Sequence, residues 1–112
     1  MTEYKFGDIL IAKVPFTDFS HQKKRPIVIV SKNILFEEKG DLLFMPISSR
    51  IINARISLNE FFISDILSAG LPKKSFIKAS IFTIQTSLIE KKLGSLSKED
   101  EKSLITLINT II

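Results

Sequence analysis

Two short stretches of this chain set cations and hydroxyls at the ends of apolar segments. The first is Ser20-His21-Gln22-Lys23-Lys24-Arg25, which runs into Pro26-Ile27-Val28-Ile29. Three consecutive cations ordinarily serve as solvating charge. Arg25 differs, because the residue before a proline is confined to extended backbone and its side-chain direction is settled in advance. A guanidinium held that way can grip a phosphate through two parallel N–H bonds. The second stretch is Pro46-Ile47-Ser48-Ser49-Arg50, where an apolar segment ends abruptly in hydroxyls. Taken singly, Ser48 and Ser49 are common turn formers and His21 is an exposed loop histidine.

Other chemistries lack the residues they need. With no cysteine and one histidine, disulfides, His/Cys zinc sites and Cys–His dyads are excluded. A Ser-His-Asp triad would have to use His21, and no nucleophile-elbow sequence lies near it. The four glycines are too scattered to cradle a phosphate. Acids adjoin only in Glu37-Glu38 and Glu99-Asp100-Glu101, which look like solvated faces and argue against a two-metal nuclease. No metal and no cofactor are therefore expected.

Lys and Arg number 16 against 12 Asp and Glu. The last sixteen residues hold two of those cations and three of those acids, so the positive excess sits in the rest of the chain. A basic body suits an anionic partner, nucleic acid being the commonest. No apolar run approaches the ~18 residues of a membrane span. The N-terminus carries acidic residues and does not read as a signal peptide. A cytoplasmic protein without a membrane partner is the expectation, and the lack of cysteine is compatible with it.

The elements that must position these residues are mostly strands. A length of 112 residues fits one domain, 1–112. Asp8–Val14 is short, β-branched and closed by Pro15, so it reads as a strand. Residues 26–31 carry the strongest strand signal, with Pro26 expected at the first position or on an edge because proline cannot donate to the ladder. A third strand is predicted over 42–47, with Pro46 marking an end or edge, a short fourth over 55–58 and a fifth over 75–83. Residues 59–69 fit either a helical turn or a strand extension through 61–63, and Gly70-Leu71-Pro72 ends either one. Ser97 followed by Asp100 has capping-box spacing, and Leu104, Ile105, Leu107, Ile108, Ile111 and Ile112 recur at helical intervals beyond it. Short strands followed by one helix predict a mainly β fold, a small, strongly curved sheet or barrel closed by a C-terminal α-helix.

In order and spacing these segments resemble the MazF/PemK family of toxins. Gly7-Asp8-Ile9 matches the family's opening Gly-Asp-(Ile/Val). Lys24-Arg25-Pro26-Ile27-Val28-Ile29 matches its basic residue followed by Arg-Pro-x-(Val/Ile)-(Val/Ile), and Pro46-Ile47-Ser48-Ser49 matches Pro-Ile-(Thr/Ser)-Ser. Gly70-Leu71 with Ser75, then Thr83-Ile84, and Leu93-Gly94-Ser95-Leu96-Ser97 before the last helix complete the likeness. It covers essentially the whole chain, and the Arg-Pro strand and the Gly-x-Leu-(Ser/Thr) approach to the helix are its specific parts.

The resemblance implies an SH3-like barrel, a homodimer, and metal-free cleavage of single-stranded RNA, held in check by a cognate antitoxin whose complex binds DNA. The 2′-hydroxyl would attack the neighbouring phosphate, and DNA lacks that nucleophile. By position, Arg25 and Ser48 match the catalytic pair, and His21, Lys23, Lys24, Ser49 and Ser80 are implied RNA contacts. With a pKa above 12, Arg25 is a poor base and would mainly stabilise charge on the phosphorane. Two positions depart from the family. Ser20 stands where some relatives have glutamate, and Ser80 where many have glutamine. His21, with an unperturbed pKa near neutrality, could replace the missing acid as a proton carrier. Two rivals keep the fold. A CcdB-like gyrase poison would use a tryptophan near the C-terminus, and this chain has none. A non-catalytic RNA-binding module would not need both Arg25 and Ser48. If loop 16–24 borders the RNA groove, Lys23, Lys24 and Arg25 line it with Phe16 and Phe19 beside them, matching an antitoxin tail that alternates acidic and large apolar residues.

Overall fold

The computed structural model describes residues 4–14, 23–31, 40–49 and 59–112. Strands β1 (Asp8–Val14), β2 (Lys23–Ile29) and β3 (Asp41–Ser48) lie side by side. They are followed by a helical turn α1 (Ile66–Ala69), the short strands β4 (Phe76–Ile77) and β5 (Phe82–Gln85), strand β6 (Ile89–Ser95) and helix α2 (Lys98–Ile111). All pairings among the described strands are antiparallel, in the order β4-β3-β2-β1-β6, with β5 also on β3. The mainly β fold with a terminal helix matches the sequence pattern. Among the described strands the sheet is open, since β6 has a ladder with β1 alone.

Both faces of the central strands are buried. Ile9, Val28, Met45, Ile47 and Ile77 pack with Leu104 and Leu107 of α2. Leu10, Ala12, Val14, Ile27, Ile29, Leu42, Phe44 and Ile84 form the core of the other face. A strand covered on both faces has no polar side to show, which accounts for the unbroken Ile-Val run of β2. The registers place Phe44 opposite Ile29, while Val14 stands opposite Lys23 at the far end of β2. In a flat sheet that six-residue offset is about 20 Å. Val14 and Phe44 nevertheless line one pocket of about 290 Å³, so the sheet curls around this second core.

The prolines sit where the ladder can spare a donor. Pairing of β2 with β3 begins at Ile27, so among the described residues Lys23 to Pro26 pair with β1 alone and form a local edge. The strand thus starts three residues earlier than its apolar pattern predicts. Pro46 falls between the end of β5 pairing at Phe44 and the start of β4 pairing at Ile47. The predicted single strand over 75–83 is consequently split. Its two halves keep registers on β3 that differ by two residues, and 78–81 form a bulge between them, with the Lys78 N–H donating to the Pro46 carbonyl at 2.9 Å. A proline in β3 supplies no N–H there to hold a regular ladder.

Residues 59–69 satisfy both expectations. Phe62 bridges Phe76 beside β4, and Ile66–Ala69 make one helical turn whose Asp65 side chain accepts the Ser68 N–H at 3.0 Å. Gly70 ends it at φ 74°, and a Cβ there would collide with the Leu93 backbone. Strand β6 was not apparent in the sequence: Glu90, Lys91 and Lys92 are exposed, and its pairing with β1 carries two register shifts. The predicted strand over 55–58 lies outside the described residues.

Helix α2 starts at Ser97, whose hydroxyl accepts the Asp100 N–H at 3.2 Å. Only this half of a capping box forms. Asp100 turns elsewhere and accepts from the Ser64 N–H (3.0 Å), the Ser64 hydroxyl (2.8 Å), the Asp65 N–H (3.1 Å) and the Ser97 hydroxyl (3.2 Å). Burial alone would raise this carboxyl, but the four bonds prevail and hold it below its ordinary value. Leu104 and Leu107 are buried, each contributing about 1.5–3 kcal/mol, whereas Ile105, Ile111 and Ile112 are exposed. Among the described residues no helix is long and apolar enough to cross a membrane.

Candidate functional site

Arg25 lies on β2 before its pairing with β3 begins, opposite Ala12 of β1 and exposed. Side chains alternate along a strand, so Lys23, Arg25 and Ile27 share one face and Lys24 projects from the other. Lys24 reaches Glu90 of β6, Nζ to Oε2 3.1 Å. A lip of three cations aimed together is therefore not what β2 presents. Two of them, Lys23 and Arg25, share a face.

Ser48 is the last residue of β3, partly buried, and the exposed Ser49 follows it. The β2–β3 ladder pairs Ile29 with Phe44, Val28 with Met45 and Ile27 with Pro46. Extended two residues past its last bonded pair, Ile27 with Pro46, that register would bring Arg25 level with Ser48. Two residues far apart in sequence, one with a guanidinium and one with a hydroxyl, thus stand near the ends of neighbouring strands on the face that carries Ile27. Such a pair can accept a phosphate, the cation balancing charge and the hydroxyl donating.

The row continues on the other side of β3. Ser48 pairs with Phe76 of β4, Phe76 bridges Phe62, and the two rings meet edge to face with centroids 5.7 Å apart. The Lys74 ammonium lies 4.4 Å above the Phe62 ring. Sequence reasoning passed over Phe62, Phe76 and Lys74. The doublets Phe61-Phe62 and Lys73-Lys74 were the available signal, but they look like ordinary core and surface residues.

Ser80 is exposed in the 78–81 bulge, across β3 from Arg25, with its N–H donating to the Lys78 carbonyl at 2.8 Å. His21, Phe16 and Phe19 lie outside the described residues. Described carboxylates near the base of the sheet are engaged elsewhere: buried Asp8 accepts from Ser95 (3.0 Å) and the Lys5 N–H (2.9 Å) and lies 3.3 Å from Lys92 Nζ. Among the described residues no three His, Cys, Asp or Glu side chains gather as metal ligands.

Comparison with known proteins places the fold and the family. Solved structures with the same fold include the toxin MazF-mt6 of Mycobacterium tuberculosis, 21% identical with a TM-score of 0.74 over 93% of this chain and 94% of that one. A mycobacterial endoribonuclease in complex with its cognate antitoxin is 14% identical, with a TM-score of 0.74 over 99% and 94%. MazF from a MazE–MazF complex of Deinococcus radiodurans is 13% identical, with a TM-score of 0.73 over 99% and 96%. No curated protein shows significant sequence similarity to the chain. The family model of the PemK-like, MazF-like toxins of type II toxin–antitoxin systems matches residues 5–112. That match spans both the Arg25 strand and the Ser48 strand end, and the chain belongs to this family of toxins.

Proposed function

We propose that the protein is an endoribonuclease toxin that cuts single-stranded RNA without a metal, acts as a homodimer in the cytoplasm and is neutralised by a cognate antitoxin. What supports this reading is the β2–β3 register, which, extended past its last pair of Ile27 with Pro46, brings Arg25 toward Ser48 on a margin that also bears Lys23. The 2′-hydroxyl oxygen attacks the adjacent phosphorus, and the bond from phosphorus to the 5′-oxygen breaks. The attacking hydroxyl's proton passes to solvent and the leaving oxygen gains one, giving a 2′,3′-cyclic phosphate and a 5′-hydroxyl end. Arg25 balances the charge of the phosphorane, and Ser48 donates a hydrogen bond to the same phosphate. His21 and Ser80 are further RNA contacts in this scheme, while Lys24, on the opposite face and paired with Glu90, adds only to the general positive charge. The exposed Ile105 and Ile111 of α2 and Ile112 after it supply apolar surface for a second copy. An antitoxin tail of alternating acidic and apolar residues would compete with RNA for the cationic margin.

The test is incubation of the purified protein with a long RNA in excess EDTA. Cleavage that persists and leaves 5′-hydroxyl ends is expected. Loss of cleavage in EDTA with rescue by magnesium would overturn the mechanism.

A further inference from the structure

We infer that Phe62 and Lys74 form a nucleotide subsite beside the Arg25–Ser48 pair, where one base of the RNA stacks on Phe62 and the next phosphate meets Lys74. This deepens the proposed function and rests on it.

The Ser48–Phe76 pair and the Phe62–Phe76 bridge set Ser48, Phe76 and Phe62 in one lateral row, and the β2–β3 register, extended two residues past Ile27, brings Arg25 to its other end. Three strand spacings separate Arg25 from Phe62, about 14 Å. That span holds a phosphate at the first pair with a flanking nucleotide beside it. The row reads cation, hydroxyl, aromatic, aromatic, cation, the alternation a phosphodiester chain with flat bases requires.

The two rings differ in what they can do. Phe76 is 6% exposed and braces the other ring edge-on. Phe62 is partly exposed, and the ring face over which Lys74 stands is covered by an exposed lysine and not by core. An exposed cation–π contact is weaker than base stacking on an aromatic ring. A base can therefore take the ring face while the ammonium moves to a phosphate, keeping an electrostatic partner throughout. Lys73 beside it adds to the local positive charge.

Binding of a short single-stranded RNA carrying 2′-O-methyl groups, which cannot be cut, tests the subsite in the full chain. Phe62→Leu, which keeps the apolar bulk, should weaken binding about tenfold, the scale of one lost stack. Lys74→Gln should lower the dependence of affinity on salt by about 0.7 in logarithmic slope, one phosphate's worth on a single strand. Cleavage of a long RNA by Phe62→Leu should show raised KM with kcat largely kept, unlike Arg25→Ala. Oligonucleotides with single abasic sites beside the mapped cut should include one that binds wild type about tenfold more weakly and costs Phe62→Leu nothing further. Lys74→Gln alters only an exposed residue and keeps the test valid if Phe62→Leu melts early. Wild type that binds no RNA overturns the proposed function together with this subsite. Wild type that binds and cuts while both variants bind unchanged overturns the subsite alone, leaving the surface to a protein partner.

Discussion

Strand β2 has two halves with different surroundings. Ile27, Val28 and Ile29 have neighbours on both sides and show no exposed surface. Lys23, Lys24 and Arg25 are exposed and, among the described residues, pair with β1 alone. One continuous strand thus passes from a segment that holds the sheet together to one that presents charge. Rigidity comes from the buried half, and because the register is shared, it is transmitted to the direction in which Arg25 points. The Arg-Pro step falls at the junction, where the missing N–H of Pro26 costs the sheet nothing on the β3 side.

The comparison breaks first if the two halves respond alike to truncation. Ile27→Ala should cost about 2–5 kcal/mol, read from urea unfolding, whereas Lys23→Ala should stay within about 0.5 kcal/mol. Similar losses at the two positions would remove the distinction between them. Arg25→Ala should leave the unfolding midpoint nearly unchanged and lower the rate of RNA cleavage by about 10²–10³, as for the loss of one donor to a charged transition state. A folded Arg25→Ala protein that cuts at the wild-type rate would show that this margin is not the catalytic one.

Away from β2, Asp100 is the polar counterpart of the apolar core, 2% exposed and bonded to Ser64, Asp65 and Ser97. Asp100→Asn should destabilise by about 1–3 kcal/mol, since an amide cannot accept all four bonds. Its folded pKa lies below the ordinary value, so its contribution is complete above the unfolded value near ~4 and is lost as pH falls through the lower folded value. Urea titrations as pH falls from about 4 toward the folded value should show wild type losing stability more steeply than Asp100→Asn, and parallel curves would refute the assignment.

Ser48→Ala should slow cleavage only about two- to tenfold, because a neutral hydrogen bond is worth less than a charge-assisted one. The smallest effect belongs to Lys24. It faces away from Arg25 and pairs with Glu90 across an exposed surface, so Lys24→Ala should change stability by no more than about 1 kcal/mol and weaken RNA binding less than Lys23→Ala. A larger effect at Lys24 would mean that RNA also engages the opposite face.

Features that depend only on adjacent residues are legible in the sequence. The bounds of β1, the start of α2 at Ser97, the stop at Gly70 and the buried Ile-Val run follow from β-branched runs, a capping hydroxyl, a left-handed glycine and proline. Strand β6 escaped, because an edge strand with charged side chains lacks the alternation that betrays a strand. The break between β4 and β5 escaped as well, since its cause, Pro46, lies some thirty residues earlier on a different strand.

By itself the sequence determined which residues could bind a phosphate and which segments would be strands. Local periodicity and backbone restriction act within a few residues and need no partner. Only the tertiary structure decided that the strands carrying Arg25 and Ser48 are neighbours, that Phe62 and Lys74 meet beside Phe76, that Lys24 reaches Glu90, and that Asp100 caps the 64–65 turn and not its own helix. Those outcomes depend on the register between distant strands. Sliding one strand by a single residue would turn every side chain to the other face, and what prevents that slip is the joint burial of two cores, which no local stretch of sequence encodes.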